Sequence, residues 1–199
     1  MRMGLASSGD MEQSTPHRKR NKKYIIHGHA PFKRSRVTAA WLFSPTTLGG
    51  SGLRNRSRAK CDEFEYALWG YVFMPEHVHL LLKPHREMYD LSKFEQSFKL
   101  SFSRKLIVHL SRVNSPLMQS LRVKNGYRVW QEGGGHDLNI WSMKKAVEKA
   151  EYCHGNPVKR RLMKSAAEWR WSSFRWLVQG KREDAPLRLD EWDETLLEG

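Results

Sequence analysis

Apolar and polar positions along the chain fall into three readable patterns. The first is Tyr71-Val72-Phe73-Met74-Pro75-Glu76-His77-Val78-His79-Leu80-Leu81-Leu82, two apolar runs joined by a tight Pro-Glu turn. It predicts a β-hairpin over Phe64 to Met74 and His77 to Lys83. His77 and His79 stand at i and i+2, so both imidazoles leave one face of the strand while Val78, Leu80 and Leu82 leave the other, toward a core. The second pattern is Leu91, Phe94, Phe98, Phe102, Leu106 and Leu110, recurring at spacings of three and four. It predicts a long amphipathic helix with Asp90 as N-cap and Lys93, Lys99, Arg104 and Lys105 on its other face. The third predicts a helix capped by Ser142, running from Met143 to about Asn156 and stopped by Pro157. A step of about 100° per residue puts Met143, Val147, Ala150 and His154 on its buried side. Tyr152 falls on the far side with Lys145, Glu148, Lys149 and Asn156.

Between these segments the periodicity fails. Residues 1–23 are polar and increasingly basic and read as a disordered arm. Tyr24-Ile25-Ile26-His27 is a candidate strand. Residues 31–60 hold seven basic residues and no acidic one. Apart from Ala39-Ala40-Trp41-Leu42-Phe43 they sustain neither strand nor helix period, so most of the stretch is expected to be loop, unusually long for a compact domain. Residues 113–140 hold turns and short strands, among them Tyr127 to Gln131, with Gly133-Gly134-Gly135 as a flexible turn. The acidic end, 179–199, reads as a tail. The expected organisation is an arm over 1–23, one domain over 24–178, and that tail.

Composition narrows the partners. The chain has 199 residues, enough for one domain with one real core. Its formal net charge is +14 and its sequence pI about 10.0, which points to a polyanion, nucleic acid before an acidic membrane surface. No apolar run is long enough to span a membrane, and no secretory leader is visible. Two cysteines, Cys61 and Cys153, make no disulfide framework and fit a reducing cytosol. Eight Trp and eight Phe can build a core and leave aromatics for stacking on bases.

Against that background the hairpin and the third helix carry the candidate chemistry. Two imidazoles on one open sheet face are half of a metal site, or else a pair of surface histidines. Tyr152 and Asn156 share one helical face. A tyrosine there, among lysines, is poorly explained as core, although an amphipathic surface tyrosine has the same pattern.

Tyr71 to Leu82, with its Met-Pro-Glu-His-Val-His-Leu-Leu core, resembles the HUH motif of single-tyrosine transposases. Tyr152-Cys153-His154-Gly155-Asn156-Pro157-Val158 resembles their catalytic helix, Tyr-X-His-X-Asn-Pro-Val. Val129-Trp130-Gln131, the pair His136-Asp137, and Glu168-Trp169-Arg170-Trp171-Ser172-Ser173-Phe174 are similar to stretches of the REP-associated tyrosine transposase branch. The resemblance covers about residues 66–178. It implies an α+β fold, a ferredoxin-like or RRM-like antiparallel sheet of four or five strands with helices packed on one face. It implies His77 and His79 as ligands of Mg²⁺ or Mn²⁺, Asn156 as the third ligand, and Tyr152 as a nucleophile toward single-stranded DNA, in repeats that form hairpins. The family also has a long amphipathic helix before the hairpin, which residues 31–60 do not show. A diverged loop or a stretch translated in a shifted frame accounts for that departure.

A phenol with a pKa near 10 is a weak nucleophile at neutral pH, so it needs help. A bound metal polarises the phosphate, and Lys145 or Lys149 favours the phenolate. Arg128, Lys159, Arg160, Arg161, Arg170 and Arg175, with those two lysines, are the candidate DNA contacts. The expectation is a metal-dependent transposase that nicks and joins single-stranded DNA through a 5′-phosphotyrosine. It is expected in the cytoplasm at the nucleoid, as a monomer or homodimer. A DNA-binding protein of the same fold that has lost its chemistry, and an RNA-binding protein on a similar sheet, are the alternatives.

Overall fold

The computed structural model describes residues 30–36, 58–86, 88–132, 136–183 and 185–193, with backbone alone for 30–36, 136 and 137. Four strands form one antiparallel sheet: β1 (Ala30–Arg36), β2 (Tyr66–Met74), β3 (His77–Pro84) and β6 (His136–Ile140), in the order β2-β3-β1-β6. This is the α+β architecture expected from the sequence. The predicted hairpin is β2 and β3, with Met74 opposite His77 and Leu68 opposite Leu82. The register slips between Leu68 and Gly70, so Trp69 is an extra residue in β2 and marks a bulge. A second, two-stranded ribbon pairs β4 (Arg122–Val123) with β5 (Gly126–Tyr127).

β1 corrects the sequence reading. Residues 31–36 were expected to be loop, yet they form a central strand, pairing with β3 on one side and β6 on the other. Lys33, Arg34 and Arg36 interrupt the apolar alternation, so nothing local announces the strand; the ladders of its two neighbours impose it. Residues 58–63 are helical and lead into β2. The basic arm, the candidate strand Tyr24 to His27, residues 37–57 and the Gly133 to Gly135 turn lie outside the described residues.

Both faces of β2 and β3 are buried. On one, α1 (Leu91–Arg112) lays down Leu91, Phe94, Phe98, Phe102, Leu106 and Leu110, the six positions the periodicity predicted. Asp90 caps it, accepting from the backbone N–H groups of Ser92 and Lys93. Phe94 packs on Tyr66, whose β3 partner is Pro84, on the side of Leu80 and Leu82. Trp130 rests against Phe98 and Phe102 and donates its indole N–H to the Lys99 carbonyl, 3.0 Å away. A single helical turn, α2 (Leu117–Ser120), follows α1.

The other face, the histidine face, is covered by α3 (Met143–His154) and α5 (Phe174–Gln179). Helices therefore pack on both sides of the sheet, where the resemblance implied one. Gly70 shows how close the second layer comes: a Cβ there would meet Ser173 Oγ at 3.5 Å and Leu177 at 3.8 Å. Pro157 was expected to stop the third helix. The break falls instead at Gly155, and Pro157 sits in the first turn of α4 (Asn156–Lys159), where its missing N–H costs nothing.

β2 is an edge strand, and the C-terminal part of the chain closes it. Phe73 N–H donates to the Trp171 carbonyl at 2.9 Å and Ser173 N–H to the Tyr71 carbonyl at 3.0 Å. Asp190 caps the strand at the bulge, its N–H bonding the Leu68 carbonyl and its carboxylate accepting from Leu68 N–H at 2.7 Å. Leu187 and Leu189 are buried, and Trp192 stacks on Trp69 with ring centroids 5.4 Å apart. Part of the acidic stretch read as a tail, from Ala185 to Trp192, thus packs along the fold. Covering the edge removes a row of unpaired backbone groups that would otherwise recruit another strand.

Candidate active site

The site lies where α3 crosses β3. His77 and His79 leave the same face, and their Nε2 atoms approach to 2.8 Å with the rings at 90°. One nitrogen donates and the other accepts, so a single proton is shared. The sequence placed them on an open face; both are buried, because α3 lies over them. The Tyr152 ring stands edge-on to His79, centroids 6.2 Å apart. Tyr152 itself is 43% exposed, so its ring meets solvent on one side and the histidine pair on the other.

Two cations flank that ring. Lys149 Nζ lies 4.8 Å and Lys159 Nζ 4.9 Å from its centroid. One comes from α3 and the other from α4, so the Gly155 break helps aim both at the tyrosine. Asn156 donates its Nδ2 to the carbonyls of Tyr152 (2.8 Å) and Cys153 (3.2 Å), pinning the end of α3. Those bonds leave the amide Oδ1 as the atom available to a ligand.

The buried stripe of α3 differs from the predicted one. Ala150 and His154 are buried as expected, but Ala146 and Cys153 complete the stripe, Met143 is half-buried and Val147 is 44% exposed. The helix is turned by about one residue, which favours small side chains against the sheet and leaves the larger valine outside. Burial pushes the Cys153 thiol up to about 12, and lowers His154 to about 4. His154 is therefore neutral. Its Nε2 meets Ser173 Oγ at 2.9 Å, while the same Oγ accepts from Tyr71 N–H at 3.0 Å and faces the Tyr71 carbonyl at 3.1 Å. A hydroxyl with one proton and two lone pairs fits this set when His154 donates and Ser173 Oγ–H donates to Tyr71. The histidine of the Tyr-X-His motif thus fastens the tyrosine helix to β2. The sequence placed His154 on the buried side but had no way to show Ser173 as its partner.

The remaining predicted DNA contacts divide by what they already touch. Arg128 pairs with Glu132 at 2.7 Å, Lys145 with Glu148 at 2.6 Å and Arg160 with Glu76 at 2.7 Å. Arg175 donates its Nε to the Ala167 carbonyl at 2.9 Å, a structural task. Arg161 and Arg170 are exposed. The structure therefore gathers Lys149 and Lys159 at the tyrosine and commits the side chains of Arg128, Lys145, Arg160 and Arg175 to protein partners.

The donor set suits one small divalent ion. His77 and His79 present their Nε2 atoms together on one face, and both could serve as imidazole ligands of such an ion. Among the described residues no group of three His, Cys, Asp or Glu gathers to hold a metal. The Asn156 carboxamide, one helical turn from Tyr152, is an oxygen donor outside that set.

Comparison with known proteins agrees with this architecture. The family model described as "Transposase IS200 like" matches residues 50–143, a span that includes the histidine hairpin and ends where α3 begins. A solved REP-associated tyrosine transposase bound to a REP hairpin has a TM-score of 0.60 to this chain at 19% identity, covering 79% of this chain and 84% of its own. A candidate transposase from Deinococcus radiodurans R1 aligns at 17% identity over 67% of this chain and 94% of its own, with a TM-score of 0.41. No curated protein matches. Residues 50–143 thus match the IS200-like transposase model, and the fold of the chain is similar to that of the solved REP-associated tyrosine transposase.

Proposed function

We propose that this protein cuts and rejoins single-stranded DNA through a covalent link to Tyr152. The observation that supports it most is the placement of Tyr152 beside the buried His77–His79 pair, between two lysines. The phenolate oxygen attacks the scissile phosphorus, the bond to the 3′ oxygen breaks, and that oxygen leaves as a 3′-OH after taking up a proton. The product is a 5′-phosphotyrosine. Attack of a 3′-OH on it reverses the bookkeeping of bonds, so joining needs no outside energy source.

His77 and His79, with Asn156, would hold Mg²⁺ or Mn²⁺. When bound, that ion supplies charge stabilisation to the phosphate. Lys149 and Lys159 hold the phosphate's negative charge beside the ring. Asn156 and the His154–Ser173 bond fix the helix so that the tyrosine stays aimed. The substrate we infer is a single strand carrying hairpin repeats, and the place of action is the nucleoid in the cytoplasm.

Covalent trapping tests this directly. Labelled single-stranded hairpin DNA and Mn²⁺ should give a protein–DNA adduct on a denaturing gel for wild type, and none for Tyr152→Phe or His77→Ala. Binding should weaken steeply with salt, because phosphate contacts release counterions. Salt-sensitive binding with no adduct would leave a DNA-binding protein of this fold that lacks the chemistry.

A further inference from the structure

The turn of the histidine hairpin carries an acid whose only role in the sequence pattern is to make the turn. The Glu76 side chain is mostly buried, and its Oε1 is shut off from solvent. That oxygen lies 3.2 Å from His77 Nδ1 and 2.7 Å from Arg160 Nη2. Neither is an aligned hydrogen bond: the Arg160 contact is an ion pair, and the His77 contact is a close approach of the carboxylate to the Nδ1 edge of the ring. Nδ1 and Nε2 sit on different edges of an imidazole, and the Nε2 edge of His77 is the one facing His79. The carboxylate therefore approaches His77 from the edge away from the histidine pair. Arg160 comes from the other half of the site: it ends α4, the turn that continues the tyrosine helix.

Building on the metal-dependent reading above, we infer that Glu76 is a positioning residue for His77, held in place by Arg160. Its carboxylate keeps the proton on Nδ1, which leaves the Nε2 lone pair for a divalent ion. An imidazole without such a neighbour carries its proton on either nitrogen, and one of those two forms cannot ligate through Nε2. The charge on Glu76 also needs compensation where solvent is excluded, and Arg160 provides it. The same contact links the turn between β2 and β3 to the end of the tyrosine helix. It thus sets both the form of one ligand and the distance between ligands and nucleophile. Neither Glu76 nor Arg160 touches the reacting atoms in this scheme.

The test uses the full chain with Mn²⁺ as probe. Calorimetric titration compares wild type, Glu76→Ala, Glu76→Gln, Arg160→Gln and His77→Ala. Two-bond proton–nitrogen NMR of the imidazoles in metal-free protein reads the tautomer of His77. The expected result is an Nδ1–H tautomer in wild type and a mixture in Glu76→Ala. Mn²⁺ affinity should fall about 10–100-fold in Glu76→Ala and less in Arg160→Gln. Glu76→Gln keeps an acceptor oxygen and should fall between wild type and Glu76→Ala in both readouts; it serves as the decisive variant if the alanine form does not fold. A wild-type tautomer and wild-type affinity in a folded Glu76 variant would overturn the inference and leave the metal reading intact. Wild type that binds no Mn²⁺ would overturn the metal reading, and this inference with it.

Discussion

The two faces of the β2–β3 hairpin are built from one stretch of chain and do opposite things. The face under α1 is mainly aromatic and aliphatic: Phe94 meets Tyr66, and Phe98 and Phe102 meet Trp130, whose indole N–H is hydrogen-bonded to the Lys99 carbonyl. The face under α3 carries His77 and His79, and His154 of α3 and Ser173 before α5 pack against it. Burial of polar groups is costly unless each finds a partner, so that face is ordered by specific bonds and not by packing alone. Alternation along β3 sorts the two chemistries, with Val78, Leu80 and Leu82 on one side and the histidines on the other. A change on the α1 face should therefore cost stability, and a change at the histidines or Tyr152 on the α3 face should cost chemistry first.

The largest contrast is expected from Tyr152→Phe. Its ring stays while its hydroxyl goes, so the covalent DNA adduct should vanish while the denaturation midpoint hardly moves; a surviving adduct would remove Tyr152 from its proposed role. On the opposite face, Phe94→Ala should lose about 3–5 kcal/mol in a denaturant titration, because a fully buried ring leaves a cavity. A loss below about 1 kcal/mol would mean that α1 is not packed as described.

A third substitution crosses the comparison. Ser173→Ala strands His154 and Tyr71 N–H, and should cost about 1–3 kcal/mol and loosen the tyrosine helix. Native-state labelling of Cys153, whose thiol is buried, should then speed up; equal labelling rates would show that Ser173 does not hold the helix. The pH dependence of the same bond has a definite sign. Unfolded, His154 titrates near 6.5, and folded it titrates near 4, so between those values the unfolded chain holds more protons. Stability should therefore rise from pH 4 to pH 6.5, by up to about 3 kcal/mol from this residue, and His154→Gln should flatten that rise. The smallest effect belongs to the α1 cap: Asp90→Ala should cost about 1 kcal/mol, seen as a small fall in melting temperature with the adduct unchanged.

Local periodicity carried much of this molecule in the open. The hairpin, the six-residue stripe of α1, its Asp90 cap, the Ser142 cap of α3 and the exposed position of Tyr152 were all legible, because each depends on neighbours within a turn or a strand step. The candidate residues His77, His79, Tyr152 and Asn156 were legible through motif spacing, and the structure brings His77, His79 and Tyr152 together. Tertiary structure alone decided what those elements meet. It made residues 31–36 a central strand despite their charge, since two flanking ladders outweigh weak local preference. It turned α3 so that Cys153 and not Val147 faces the sheet, brought Arg160 to Glu76 and His154 to Ser173, and folded the acidic C-terminal stretch along the β2 edge. Periodicity along a chain records which side chains share a face; it holds no information about which distant segment that face will find.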